Sequence, residues 1–501
     1  MSELHTLAGA VLCVGVPGPT LAGRERAMLE EMKPGAVVLF ARNISTLGET
    51  RRLVEEIRVA AGGDDPALVC VDQEGGRVLR LRFAQHAMPS MLALGATADP
   101  DLAERAGARL ANELRSIGAN VDFAPVLDIA NASGTSVVGT RSFGADPGLV
   151  AQLGAAFVRG MQAAGVVATV KHFPGHGATE LDSHLALPAS TVDAVTLRAR
   201  ELVPFAAAFR AGARAVMTAH IVVPALDAQR PATLSPRILQ TLLRDELGFE
   251  GVCFTDCLEM QAIAGHAGTA AGAVAALGAG ADIALISHDL DLAVTARDAI
   301  AAAVDAGALP LARLREAARR AGSLRAWAAS AARAVDFSED ELPREIARRA
   351  ILGNAGGARL RGDVPVTVIS FEGDASDGIA AGAAERPSLS LALRRRRMKS
   401  ELMRVPLDPS DEMIESLIEI VRAQGERQFV VLARRAHRFA AQRRALAALF
   451  ALVPRAIAVS VLEPFDLEFL AGAGVALRTH GDEEIDIAAL ADLLAGSAPA
   501  A

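Results

Sequence analysis

The chain has 501 residues, a formal net charge of -8 and 51% hydrophobic residues. That length exceeds one ordinary core and implies two or three units, because domains run to about 100 to 200 residues. The acidic balance excludes a nucleic-acid partner, since phosphate binding needs a basic face.

Three of the four cysteines, Cys13, Cys70, Cys253 and Cys257, sit in apolar runs and read as reduced core residues, not a disulfide frame. Cys253 and Cys257 have zinc-like spacing but no second pair nearby, so no metal site is expected of them. The N-terminal apolar stretch carries Glu3 where a signal peptide would be positive, and it reads as a first strand. No run reaches the ~18 strongly apolar residues of a membrane span, so the expected location is the cytoplasm, with no membrane partner.

Short apolar runs at 10–16, 36–40, 67–72, 119–126, 166–172, 215–221, 252–256 and 283–287 read as strands. Helical spacing fills 101–117, 147–164, 192–211 and 235–247, the last with Ser235 as N-cap and Pro236 at its first position. Eight βα units predict an α/β fold with a TIM (β/α)8-type barrel over 1–335, a doubly wound open sheet being the alternative. A helical linker is expected over 336–357, with 338–343 capping a helix that runs to about 351 and a glycine-rich joint at 353–357. Residues 358–501 predict a smaller α/β/α sandwich with strands at 366–371, 429–432, 457–461 and 475–478. It carries no phosphate-binding glycine loop, so no cofactor is expected there. Residues 373–387 read as a flexible loop, and the basic run Arg394 to Arg397, with Lys399 and Arg404, as a solvated face.

Active sites of a barrel gather where strands end. Strand three ends in Asp72-Gln73-Glu74-Gly75-Gly76-Arg77, strand four is followed by Asp128 and Arg141, strand five by Lys171 and His172, strand six by His220 and strand seven by Asp256. Five segments thus bring titratable groups to one face. The fifth, VVATVKHFPGHGATELDSH over 166–184, is a buried strand emptying into a loop with three histidines, Pro174, Gly175 and Gly177.

Cleaving an acetal needs a proton donor for the leaving oxygen and a carboxylate on the opposite face. Asp256, at the end of a buried strand, suits the second role. His184 suits the first, with Asp182 stabilising its imidazolium, since a free imidazole already titrates near ~6.5. Asp72, Arg80, Arg141, Lys171 and His172 are the expected holders of a sugar ring through charge-assisted hydrogen bonds. Arg77 and Glu74 read equally well as a structural ion pair beneath the site.

The strings GAVVLFARN (35–43), VDQEGGRVLR (71–80), NVDFAPVLDI (120–129), VVGTRSFG (137–144), KHFPGHGATELDSH (171–184) and FTDCLEM (254–260) resemble β-N-acetylglucosaminidases of glycoside hydrolase family three. The Asp-Ser-His after the fifth string's loop is the feature that separates this branch from the family's β-glucosidases. The resemblance implies a retaining double displacement with Asp256 as nucleophile, His184 as acid/base and Asp182 as its partner. It implies that Asp72, Arg80, Arg141, Lys171 and His172 hold N-acetylglucosamine, that no cofactor or metal is needed, and that the substrate is a small glycoside such as an N-acetylglucosaminyl anhydro-muropeptide from peptidoglycan recycling. Cys257 departs from the Asp or Ala that relatives often carry. Two alternatives stay open: a phosphorylase using phosphate in the second step, and a non-catalytic sugar sensor.

Overall fold

The computed structural model describes residues 2–62, 67–131, 138–177, 179, 187–265, 267–331, 340–354, 357–373 and 387–496. Eight parallel strands close a barrel in sequential order: β1 Leu12–Gly15, β2 Ala36–Leu39, β3 Leu68–Val71, β4 Val121–Asp122, β5 Val167–Phe173, β6 Ala215–Thr218, β7 Val252–Cys257 and β8 Ile283–Ile286. The strands lack polar alternation because both faces are buried. In β1, Leu12 and Val14 join the layer beneath the helices, while Cys13 points to the axis with Val38, Cys70, Phe123, Met217 and Phe254. The helix Leu311–Ser330 plugs this inner layer with Ala321, Leu324 and Ala328.

The helices start where short side chains satisfy the free amides of the first turn. Asp99 accepts from the Asp101 and Leu102 amides ahead of Pro100, and Asp146 accepts from the Leu149 amide ahead of Pro147. The same chemistry corrects the first expected strand. Ser2 caps a helix over Glu3–Ala10, and β1 begins only at Leu12. Ser235 does accept from the Ile238 amide, but the segment Arg237–Glu246 winds as a wide π-helix.

Beyond the barrel, the helix Leu342–Arg349 starts at Glu341 and packs against both the helix Met91–Thr97 and the helix Glu484–Ala495. The expected cap at residues 338–339 lies outside the described residues. The glycine-rich joint is partly a strand, since β9 Leu352–Gly353 pairs antiparallel to β14 Val475–Arg478. The second sheet runs β9-β14-β13-β12-β10-β11, with β10 Val366–Glu372, β11 Ser400–Pro406, β12 Gln428–Ala433 and β13 Ile457–Ser460. The edge strand β11 was not expected, because Glu401 and Arg404 interrupt its apolar pattern. The basic run before it ends the helix Leu389–Arg395, where Arg396 bonds Asp492 and the carbonyls of Ala392 and Ala488. Most of the loop expected over 373–387 lies outside the described residues.

The carboxyl end of this sheet meets the loops at the barrel mouth. Ser90 Oγ donates to the His480 carbonyl at 2.7 Å, Arg77 pairs with Asp482 at 3.6 Å, and Arg82 pairs with Glu483 at 3.9 Å.

Candidate active site

A cavity of about 420 Å3 opens at the carboxyl ends of the barrel strands. Asp72, Arg80, Arg141, Lys171, His172 and Asp256 all line it, so six of the eight residues singled out from sequence share one wall-to-wall space. Asp182 and His184 lie outside the described residues.

Its floor is an alternating cluster of two carboxylates and two cations. Arg141, at the end of the turn Gly139–Arg141, donates through Nε and Nη2 to the two oxygens of Glu74, each at 2.7 Å. Lys171 Nζ lies 2.6 Å from Glu74 and 2.7 Å from Asp72. Burial works against every charge here. For Glu74 the Arg141 and Lys171 cations override it and hold the carboxyl well below its ordinary value. Burial would likewise lower Lys171, but Asp72 and Glu74 raise it, and burial of Arg141 is outweighed by Glu74. The cluster is neutral in sum and fixed in place, which is what a dry, charged floor requires. Glu74 is the residue that sequence reasoning missed. The alternative of a structural pair with Arg77 does not form: Arg77 lies 3.6 Å from Asp482, while Glu74 takes Arg141 and Lys171. Asp122 lies below the floor, where burial pushes its carboxyl well above the usual range despite the Gln73 amide on its Oδ1.

Arg80 Nε is buried without a hydrogen-bond partner among the described residues, while its guanidinium lies 6.0 Å from the Phe40 ring. Its Nε–H is thus a cationic donor with no partner among those residues at the cavity wall.

Lys171 and His172 are consecutive in β5, and the peptide between them is cis. His172 Nδ1 lies 2.6 Å from Asp128 Oδ2, and the other oxygen of Asp128 accepts from the backbone amides of His172 and His176. One carboxylate thereby pins both the ring and the loop that follows. Burial opposes its charge, but His172 outweighs it and lowers the Asp128 carboxyl. Burial pushes the His176 imidazole down to about 4 although Asp128 faces it, so that ring is neutral at pH 7. A side chain at Gly177 would put its Cβ 1.9 Å from the Ile129 carbonyl oxygen, which explains the glycine. Gly175 has φ +121 and covers Glu201.

Asp256 stands near the end of β7, with its Oδ1 accepting from the Cys257 amide at 2.7 Å. His220, buried after β6, spans from the Thr233 hydroxyl to the Cys257 carbonyl at 2.7 and 2.9 Å. It therefore holds the peptide that follows Asp256. On the far side, Glu259 accepts from the backbone amides of Ser287, His288 and Asp289 and clamps the loop after β8. Burial works against its charge, but the His288 ring and those amides hold it at about 2. His288 stacks on Phe40 with ring centroids 5.7 Å apart, forming one lip of the cavity.

The fold and cavity define a (β/α)8-barrel protein with a carboxylate and a set of fixed cations at its strand ends, an arrangement suited to holding and cleaving a polar, hydroxyl-rich substrate. The signature described as the glycosyl hydrolase family 3 N-terminal domain matches residues 8–324. The chain is 43% identical over 286 residues to a beta-hexosaminidase of Stenotrophomonas maltophilia (strain K279a), covering 56% of this chain and 83% of that one. It is 35% identical to the solved glycoside hydrolase family 3 beta-N-acetylglucosaminidase from Paenibacillus sp. str. FPU-7, with a TM-score of 0.89 over 99% of this chain and 97% of that one. A solved beta-N-acetylhexosaminidase from Beutenbergia cavernae is 30% identical, with a TM-score of 0.60, and covers 65% of this chain. This chain belongs to glycosyl hydrolase family 3.

Proposed function

We propose that the chain is a retaining exo-β-N-acetylhexosaminidase that removes terminal N-acetyl-β-D-glucosamine from small cell-wall fragments in the cytoplasm. The observation that carries the reading is that Asp256 shares one cavity with Arg141, Lys171 and Asp72, on the opposite arc of the strand ends. The hexosaminidase names of the relatives narrow the sugar. Asp256 attacks the anomeric carbon while His184, tuned by Asp182, gives its proton to the leaving oxygen; the glycosidic bond breaks as an ester to Asp256 forms. Water then attacks the same carbon, passes a proton back to His184 and frees the carboxylate. Asp72, Arg80, Arg141, Lys171 and His172 hold the ring. The barrel over 1–335 carries this chemistry, 336–357 connects, and 358–501 braces the mouth.

The test is release of p-nitrophenol from its N-acetyl-β-D-glucosaminide, with and without phosphate. Free sugar in both buffers supports hydrolysis; sugar 1-phosphate formed only in phosphate favours a phosphorylase, and an inert protein removes the proposal. Asp256→Ala is expected to lower turnover at least about a thousandfold while ligand binding survives.

A further inference from the structure

Beside the reacting carboxylate, the lip formed by β7 and the β8 loop gathers a thiol, a carboxylate and an imidazole that the proposed chemistry does not use. Cys257 Sγ lies 3.5 Å from Glu259 Oε2, and the same oxygen lies 3.3 Å from His288 Nδ1. In a tetrahedral zinc site, metal bonds of about 2.3 Å to sulfur and about 2.0 to 2.2 Å to nitrogen or oxygen set these edges at about 3.5 and about 3.4 Å. The remaining edge is also short, because the three donor atoms lie within 4.8 Å of one another. The Ser287 hydroxyl stands between the other two, 3.0 Å from Sγ and 2.8 Å from Nδ1. Sequence spacing suggests pairing Cys257 with Cys253, but Cys253 faces the helix layer and Cys257 the barrel interior.

We propose that Cys257, Glu259 and His288 form a binding site for zinc or a similar borderline-soft divalent cation, and that its occupation inhibits the enzyme. The donor set selects against magnesium and calcium, which take oxygen ligands. Glu259 is already fixed by three backbone amides, two of them on Oε2, so zinc takes that oxygen in exchange for one amide bond while the carboxylate stays in place. His288 is the solvent-facing partner, its side chain 62% exposed. Three protein ligands leave the fourth position to water, and the thiol proton departs to solvent as the metal–sulfur bond forms. The cation then sits in the same cavity as Asp256, where its positive charge stabilises that carboxylate and makes it a poorer nucleophile. This inhibitory consequence rests on the reading of Asp256 as nucleophile; the metal site itself does not.

The experiment titrates the full chain with ZnCl2 by calorimetry, with MgCl2 as control, and with CoCl2 by absorption for a thiolate-to-metal charge-transfer band. One zinc per chain is expected, with no magnesium heat and a cobalt band that vanishes in Cys257→Ser. His288→Ala, at an exposed position and checked for folding by circular dichroism, is expected to weaken zinc binding at least tenfold. Absence of saturable zinc binding, or binding unchanged in both variants, overturns the site. Zinc is further expected to suppress p-nitrophenyl N-acetyl-β-D-glucosaminide hydrolysis at the concentration that fills the cobalt-competed site. Undiminished turnover at saturating zinc overturns the inhibitory role, whereas a chain that binds zinc but never cleaves the glycoside counts against the glycosidase reading alone.

Discussion

Glu74 decides whether the floor of the cavity can exist. It pairs with both Arg141 and Lys171 from a position with 1% exposure, and removing one partner of a buried ion cluster strands the charges that remain. Glu74→Gln is expected to lower stability by about 3 kcal/mol in urea denaturation and to raise KM, because Arg141 loses the anchor for its bidentate fork. A second buried acid works in the opposite sense. Burial pushes Glu201 from its ordinary 4.5 up to about 7, although Arg200 bonds to it. A raised carboxyl is protonated in the folded chain where the unfolded chain is ionised, so its contribution to stability is present below pH 4.5 and is lost as pH rises to 7. Glu201→Gln should therefore match the wild type near pH 4 and exceed it at pH 8, by at most about 3 kcal/mol, in paired denaturation curves. From sequence, Asp72, Lys171, His172 and Asp256 were legible because each ends an apolar run. Which carboxylate meets which cation was not, since Arg77 and Arg141 are equivalent choices for Glu74 until the chain is folded.

At the scale of elements, the site depends on turns that admit no side chain. In Gly177→Ala the new methyl would meet the Ile129 carbonyl, which belongs to the same segment as Asp128. Relieving that 1.9 Å approach takes a shift of about an ångström, which moves His172 and the loop after it together. The expected outcome is a fall in kcat of about tenfold or more with a loss of about 1 to 3 kcal/mol in thermal unfolding. His220 is the comparable device on the other wall: His220→Phe keeps a flat ring but removes the bonds to the Thr233 hydroxyl and the Cys257 carbonyl, and should lower kcat more than it raises KM. Strands with two buried faces were readable from their apolar runs. The first helix was not, because Ser2 and Glu3 start it within a stretch whose composition also suits a strand. The edge strand β11 escaped because one of its flanks is open and Glu401 and Arg404 interrupt its apolar run.

At the scale of the molecule, ion pairs and the Ser90–His480 bond join the second sheet to the barrel mouth among the described residues, while the helix Leu342–Arg349 packs between the two units through Leu342, Ile346 and Ala347. Arg434, buried at the end of β12, bonds Asp482 Oδ2 at 3.3 Å while Asp482 Oδ1 faces Arg77 of the barrel. Asp482→Ala breaks both links and is expected to lower the unfolding temperature, by about 2 kcal/mol in free energy, with a smaller change in kcat that reports how far the second unit braces the strand-three loop. Among the described residues no helix is long and apolar enough to cross a membrane.

Period and composition alone determined the eight βα units, the second α/β unit and the segments that line the cavity, because local patterning reflects which side of an element is buried and where a strand stops. Tertiary structure decided what no local pattern holds: the pairing of Glu74 with Arg141 and Lys171, the grip of Asp128 on two histidines, and the meeting of Cys257 with Glu259 and His288. Apart from Cys257 and Glu259, these residues lie far apart in the chain, and the pairing of neighbouring strands brings their ends together.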